Sequence, residues 1–351
     1  MSAPHFSIES LTTFATALFS AAGMDAEKSA AVARLLVLTD AMGRRTHGLA
    51  MAPLYLAEMD KGSMGKSGEP VVVKDNGIAA VWDGDYLPGL WLVEKSIHQG
   101  MERAAKSGMA AYAIRKSHHI GCLAALVKQA ADKGFVAQIA NSDPAGQRVA
   151  PYGGTEALFT PNPYAIGYPG GDHPVLVDIC ASITTTSMTR QKYAEGKQFD
   201  HPWLLDAQGQ PTCDPAVLEH STPRGSLQLV GGQEYGHKGF GLALMIEALS
   251  QGLAGHGRKD APTRWGGNVF VQVFDPDFFA GREAFTEQMD YVSERCRSNR
   301  PIRADQPVRV PGDQAARSTQ AAEAQGIPYD ALTWQALSQS AQRLGVPLPI
   351  A

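Results

Sequence analysis

No CxxC pair occurs in these 351 residues, and the four cysteines, Cys122, Cys180, Cys213 and Cys296, stand far apart. That spacing argues against a zinc site or a disulfide framework and fits reduced thiols, so no metal is expected. Nor is there a run approaching the roughly 18 apolar residues of a membrane helix, or a basic, cleavable leader. The expectation is therefore a cytoplasmic protein without a membrane partner. No block of like charge stands out. With 31 Lys and Arg against 35 Asp and Glu the net charge is −4, which offers nucleic acid no electrostatic footprint. Internal repeats and low-complexity linkers are missing too. The usual dinucleotide fingerprint also fails, because "GFGL" supplies Gly239 and Gly241 but the third glycine position is Leu244.

What remains is an ordinary globular composition, 44% hydrophobic and 19% charged, long enough for two or three domains. Leu11, Phe14, Ala15 and Leu18 recur at helical spacing over residues 7–21, and Gly23 then Asp25 read as a stop and an N-cap for a second helix to about Leu38. From residue 71, "VVVKDNGIAAVW" is a hairpin pattern with its turn at Asp75, Asn76 and Gly77. Helix and strand patterns then alternate. A helix near 90–106, the strand "MAAYAIR", a helix near 122–133 and the strand "FVAQIA" are followed by strands near 175 and 268, with the long helix pattern "GLALMIEALSQGLAG" between those two. From about residue 318 the tail returns to helix. The fold class is α/β, with a helical part built from both termini around an inserted sheet.

Four stretches suggest chemistry. In "GRRTHGLAM" His47 stands beside Arg44, Arg45 and Thr46 just after an apolar helix. His118 and His119 in "RKSHHIGCL" lie where a strand hands over to a helix, the end at which α/β sheets usually place ligands. Asp178 interrupts the apolar "VLVDICA" and needs a partner, because a lone buried charge is costly. It reads either as a structural ion pair or as a carboxylate that steadies a protonated histidine, with His47 the donor to pair with it. "GGQEYGHKGFGLAL" offers glycines, Lys238 and a helix start, which suit a phosphate or, equally, a tight turn packed on a helix.

Taken together, these residues resemble the malate/L-lactate dehydrogenase family, which lies outside the Rossmann group and includes ureidoglycolate, sulfolactate and diketogulonate enzymes and cyclic imino acid reductases. "THG" at 46–48 resembles its SHG, "HHIG" at 118–121 its NHFG, and "APYGG" with "TPNPYAIGYP" its double-glycine and GTNP stretch. "VDICAS" resembles its DMATS, "WLLDAQGQPTCDP" its WxxDxxGxPTxDP, and "GHKGFGL" its KGxGL. The resemblance implies a non-Rossmann NAD(P)-binding sheet domain, NAD or NADP as cofactor, and an intertwined homodimer acting on a small anionic substrate. It implies His47 as proton donor or acceptor, His119 as a second active-site histidine and Asp178 as partner carboxylate. Around the cofactor it implies Ser142, Thr160, Asn162, Asp178, Ile179, Cys180, Lys238, Gly239, Gly312 and Asp313. The expected division is a helical segment 1–60 packing with 315–351, a substrate-side region 61–135, a cofactor domain 136–300 and a return with helical tail over 301–351.

Departures from the family pattern bear on the substrate. Met51 stands where members often carry a carboxylate-binding arginine, and Ser187 and Met188 where a Gly-Lys pair is common. Arg44, Arg45 or Arg190 is then the expected anchor for a substrate carboxylate, with Thr46 alongside, since a guanidinium fork suits that group. The expected reaction interconverts a 2-oxo acid and a 2-hydroxy acid. The alternatives are reduction of a C=N bond in a cyclic imino acid and a silent ligand-binding homologue.

Overall fold

In the computed structural model, which describes residues 5–350, seven strands form one sheet. Across the sheet they run Val71–Asp75, Ala79–Asp83, Met109–Ser117, Gly267–Phe274, Val136–Ser142, Pro163–Tyr168 and Val175–Cys180. Ala79–Asp83 and Met109–Ser117 pair in parallel, joined by the crossover helix Gly89–Ser107; the other neighbours are antiparallel. A largely antiparallel order of this kind is not the doubly wound parallel sheet of the Rossmann fold. The strand Gly267–Phe274 lies between Met109–Ser117 and Val136–Ser142, so the chain on both sides of residue 135 contributes to one sheet.

The termini meet, as their helical patterns suggest. Helix Ile8–Ala21 starts where the Ser7 hydroxyl accepts a bond from Ser10 N at 3.0 Å, and buries Leu11, Phe14, Ala15 and Leu18. Helix Ala26–Ala41 runs three residues past its expected end and is buried along most of its length, because it lies between the sheet helices and the C-terminal helices. Phe6 stacks on Trp334 of helix Ala331–Leu344 at 4.3 Å, and His5–Phe6 pairs with Ile327–Pro328. One core joins Leu11, Leu35 and Leu36 to Ile114 and Val271 of the sheet and to Leu337 near the C-terminus. A smaller core around Val149, Phe159, Leu204 and Leu227 supports a lobe with its own three-stranded sheet.

Two elements differ from the sequence reading. The glycine-rich stretch at 231–244 is helix and not a loop before one: helix Gly232–Glu247 begins there, breaks at Tyr235 (φ −117°, ψ 15°) and passes into a π-helical turn at Ala248–Gly252. Helix Arg282–Arg297 was not foreseen. Its one buried residue is Ser293, and its apolar positions Phe285, Met289 and Val292 stay at least partly exposed.

Candidate active site

Antiparallel pairing brings scattered sequence to one end of the sheet. Ser117 faces Gly267, Asn268 faces Ser142, and Pro163 faces Cys180, so His118 and His119, Asp143, Thr160 to Asn162 and Asp178 to Ser182 all leave the sheet at the same end. His47 reaches this end from the 3-10 turn Arg45–His47 that follows helix Ala26–Ala41.

That turn is fixed by a buried carboxylate. Asp40 Oδ2 accepts from Leu49 N at 2.8 Å and from the Tyr329 hydroxyl at 2.6 Å. Gly48 lies so close that a Cβ there would sit 1.8 Å from Asp40 Oδ1. The glycine after His47 is thus required by the carboxylate that holds the turn.

The histidines stack. His47 and His119 have ring centroids 6.0 Å apart and 25° from parallel, and Trp265 covers the other side of His119 at 5.0 Å and 30°. The Tyr55 hydroxyl and His119 Nδ1 share a hydrogen bond at 2.7 Å, and burial keeps the phenol protonated. Burial together with His47 and His118 holds the His119 ring neutral. With the phenol as donor, the ring proton lies on Nε2 and His119 presents an N–H there. His47 is half-buried, bonded through Nδ1 to Thr46 Oγ1 at 2.9 Å. Burial lowers its pKa, Asp178 pulls it back up, and Arg44 lowers it further.

Asp178 acts on His47 through space, not through a hydrogen bond. Its Oδ2 accepts from Ala124 N at 3.0 Å, in the first turn of helix Leu123–Ala131, and from the Cys122 thiol at 3.7 Å, a thiol that burial pushes up to about 12. Both bonds fall on Oδ2, so Oδ1 is left to the site.

The three arginines separate. Arg44 is the one whose charge reaches His47 and Cys122; Arg45 instead bears on Asp40 and Tyr329. Arg190 does not join them: it lies 3.8 Å from Glu219 in a different part of the chain. Trp265 and Tyr55 were missed by sequence reasoning, because they meet the histidines only through tertiary packing, Trp265 ahead of strand Gly267–Phe274 and Tyr55 on helix Ala52–Asp60.

The residues expected around a cofactor fall into two groups. Ile179 is 48% exposed beside Asp178, and exposed Met188 follows on helix Thr186–Ala194. Cys180 turns its thiol to Ser182 O at 3.1 Å. Lys238 is exposed with Nζ 5.1 Å from the Tyr235 ring, on the helix that opens at the Gly231 and Gly232 turn. An exposed apolar side chain and an exposed cation on a helix that opens with glycines would suit a flat ring and a pyrophosphate.

Others face inward. Ser142 and Asn162 are fully buried and both bond Glu247 Oε1, at 2.6 and 2.9 Å; Thr160 Oγ1 donates to Asn162 Oδ1 at 2.8 Å, and Arg258 binds Glu247 at 3.0 Å. These side chains are spent on positioning the loop ends. Gly239 packs too, since a Cβ there would sit 2.6 Å from Val230 backbone atoms. Gly312 lies against Pro174 and Leu176, and Asp313 is held by Arg297 at 2.7 Å, His173 at 3.3 Å and Val310 N at 3.0 Å. Its carboxylate is saturated, which makes this corner a clamp between the C-terminal return and the edge strand.

The sequence model described as malate/L-lactate dehydrogenase matches residues 6–338. Hydroxycarboxylate dehydrogenase B of Escherichia coli (strain K12) is 30% identical over 349 residues, covering 97% of this chain and 95% of that protein. The L-lactate dehydrogenase of Cupriavidus necator is 29% identical, covering 98% and 99%. A malate dehydrogenase structure from Entamoeba histolytica superposes with a TM-score of 0.93 at 22% identity, covering 99% of this chain and 100% of that one.

Proposed function

Because the chain belongs to the malate/L-lactate dehydrogenase family and is a dehydrogenase, we propose that it interconverts a small 2-oxo acid and its 2-hydroxy acid, with His47 moving the proton. The observation that carries this reading is the pairing of one titrating histidine with one held neutral: the His47 ring lies 6.0 Å from that of His119, whose Nδ1 is bonded to Tyr55. A carbonyl oxygen needs that arrangement, since one group must polarise it and another must deliver a proton.

NADH or NADPH supplies hydride to the carbonyl carbon when bound. Ile179 and Met188 would cover its ring and Lys238 its pyrophosphate. In the reductive direction the His47 imidazolium gives its proton to the carbonyl oxygen while His119 Nε2–H steadies the developing charge. In the oxidative direction neutral His47 takes the hydroxyl proton, and Asp178 favours the imidazolium that results. Arg44 holds the substrate carboxylate in place of the arginine replaced by Met51, because its charge already bears on His47.

The chain also acts as a homodimer in this reading. Leu244, Met245 and Leu253 are 48, 44 and 54% exposed along helix Gly232–Glu247 and the turns that follow, an apolar face on the same helix that carries Lys238.

The test of the chemistry is His47→Ala. Replacement should cut reduction of 2-oxo acids by about 10²- to 10⁴-fold with little change in KM. Activity within a few-fold of the unaltered enzyme would remove His47 from the reaction.

A further inference from the structure

Away from the histidines the chain gathers three arginines, two of them without an ion pair among the described residues. We propose that Arg148, Arg190 and Arg224 form a binding site for a phosphate monoester in the second lobe.

Arg148 is rigidly mounted. Its N–H donates to Phe159 O at 2.7 Å and its carbonyl accepts from Leu227 N at 2.8 Å, which places the side chain at the rim of the lobe's core. The guanidinium is half-buried and has no hydrogen bond or ion pair among the described residues, and neither does that of Arg224. Both line one cleft of about 870 Å³, together with Gln147, Gly154 and Thr155. Arg190 reaches the same neighbourhood from helix Thr186–Ala194, held only loosely by Glu219 at 3.8 Å.

Two carboxylates are near. Glu219 offsets part of the charge, and Glu156 lines the cleft without an ion pair. Burial and then the charges of Arg224 and Arg190 oppose the Arg148 cation, and Glu219 alone works the other way. An anion in the cleft would offset the repulsion between these cations.

The ligand follows from the donors. One guanidinium fork satisfies a carboxylate, whereas three forks call for an anion with more oxygens and more charge. A phosphate monoester has three terminal oxygens and is close to dianionic at neutral pH. The Thr155 hydroxyl lines the same cleft and adds a neutral donor, and the volume leaves room for an organic group. This site does not depend on the dehydrogenase reading, since no residue in it serves the histidines.

The test is calorimetric titration of the full chain with inorganic phosphate at fixed ionic strength, beside Arg148→Gln and Arg224→Gln. Saturable binding that weakens at least about ten-fold in each variant is expected. Exposed Arg224 keeps the test decisive should Arg148→Gln fail to fold. Absence of saturable binding, or equal binding in all three proteins, would overturn the proposal. Fluorescence titrations with NADPH and NADH separate the sources. A loss confined to NADPH identifies the ribose 2′-phosphate as the occupant, and unchanged affinity for both cofactors identifies a separate phosphate monoester. Equal weakening of both cofactors would contradict a monoester site.

Discussion

At His47 two opposed effects set the charge of the ring. Burial and Arg44 disfavour the imidazolium more than Asp178 favours it, so the ring loses its proton below its ordinary value of 6.5. A group with a lowered histidine pKa is neutral through neutral pH, which is the form that accepts a proton. Oxidation of the hydroxy acid should therefore have a kcat/KM that is flat above about pH 6.5 and falls on the acid side, with an apparent pKa below the ordinary histidine value. Arg44→Gln removes one of the opposing charges, so the acid limb should move to higher pH while KM for the acid rises by about 10- to 100-fold. Arg45→Gln should leave the limb in place, because its charge faces Asp40 and Tyr329. An unchanged limb and KM in Arg44→Gln would show that another group anchors the carboxylate. His47, His119 and Asp178 were readable in sequence because each breaks a local pattern or sits at a strand end. Tyr55, which bonds His119 Nδ1, is an ordinary residue of helix Ala52–Asp60 and breaks nothing.

Among the elements, the turn that carries His47 depends on helix Ala26–Ala41 behind it and on the C-terminal return in front. Asp40 supplies the first and Tyr329 the second, and Gly48 leaves the space that lets Asp40 reach Leu49 N. Gly48→Ala should therefore destabilise the fold by about 1–3 kcal/mol and lower kcat, seen as a lower urea midpoint and a slower turnover. Burial raises the Asp40 carboxyl to about 6 from 3.8. A carboxyl raised in the folded state favours folding fully below its unfolded value and loses that contribution as pH rises through about 6. Relative to Asp40→Asn, the unaltered protein should lose about 1 kcal/mol of stability between about pH 5 and pH 8, a difference that paired urea titrations would read. A pH-independent difference would mean that the carboxyl is not held above its ordinary value. The sequence hid this device, because its three members are separated by up to 289 positions. It hid the Ser142, Asn162, Glu247 and Arg258 network for the same reason.

For the molecule as a whole, alternating patterns identified most strands and helices, since each buries a face with the right period. Strand order was not readable: nothing local says that Gly267–Phe274 inserts between Met109–Ser117 and Val136–Ser142, and that insertion gathers the site. The exposed Leu244, Met245 and Leu253 face predicts a dimer whose interface runs along helix Gly232–Glu247. Leu244→Glu with Leu253→Glu should shift sedimentation from dimer to monomer, and an unchanged sedimentation coefficient would place the interface elsewhere. The central claim is that this fold reduces a carbonyl with a proton from His47. Its most direct measurement is loss of absorbance at the reduced-nicotinamide band, with NADH and NADPH separately, across a panel of 2-oxo acids and cyclic imino acids, for the unaltered enzyme and His47→Ala. The account predicts oxidation of cofactor with a 2-oxo acid and its near loss in His47→Ala; oxidation only with imino acids, or a rate that survives the substitution, would contradict it.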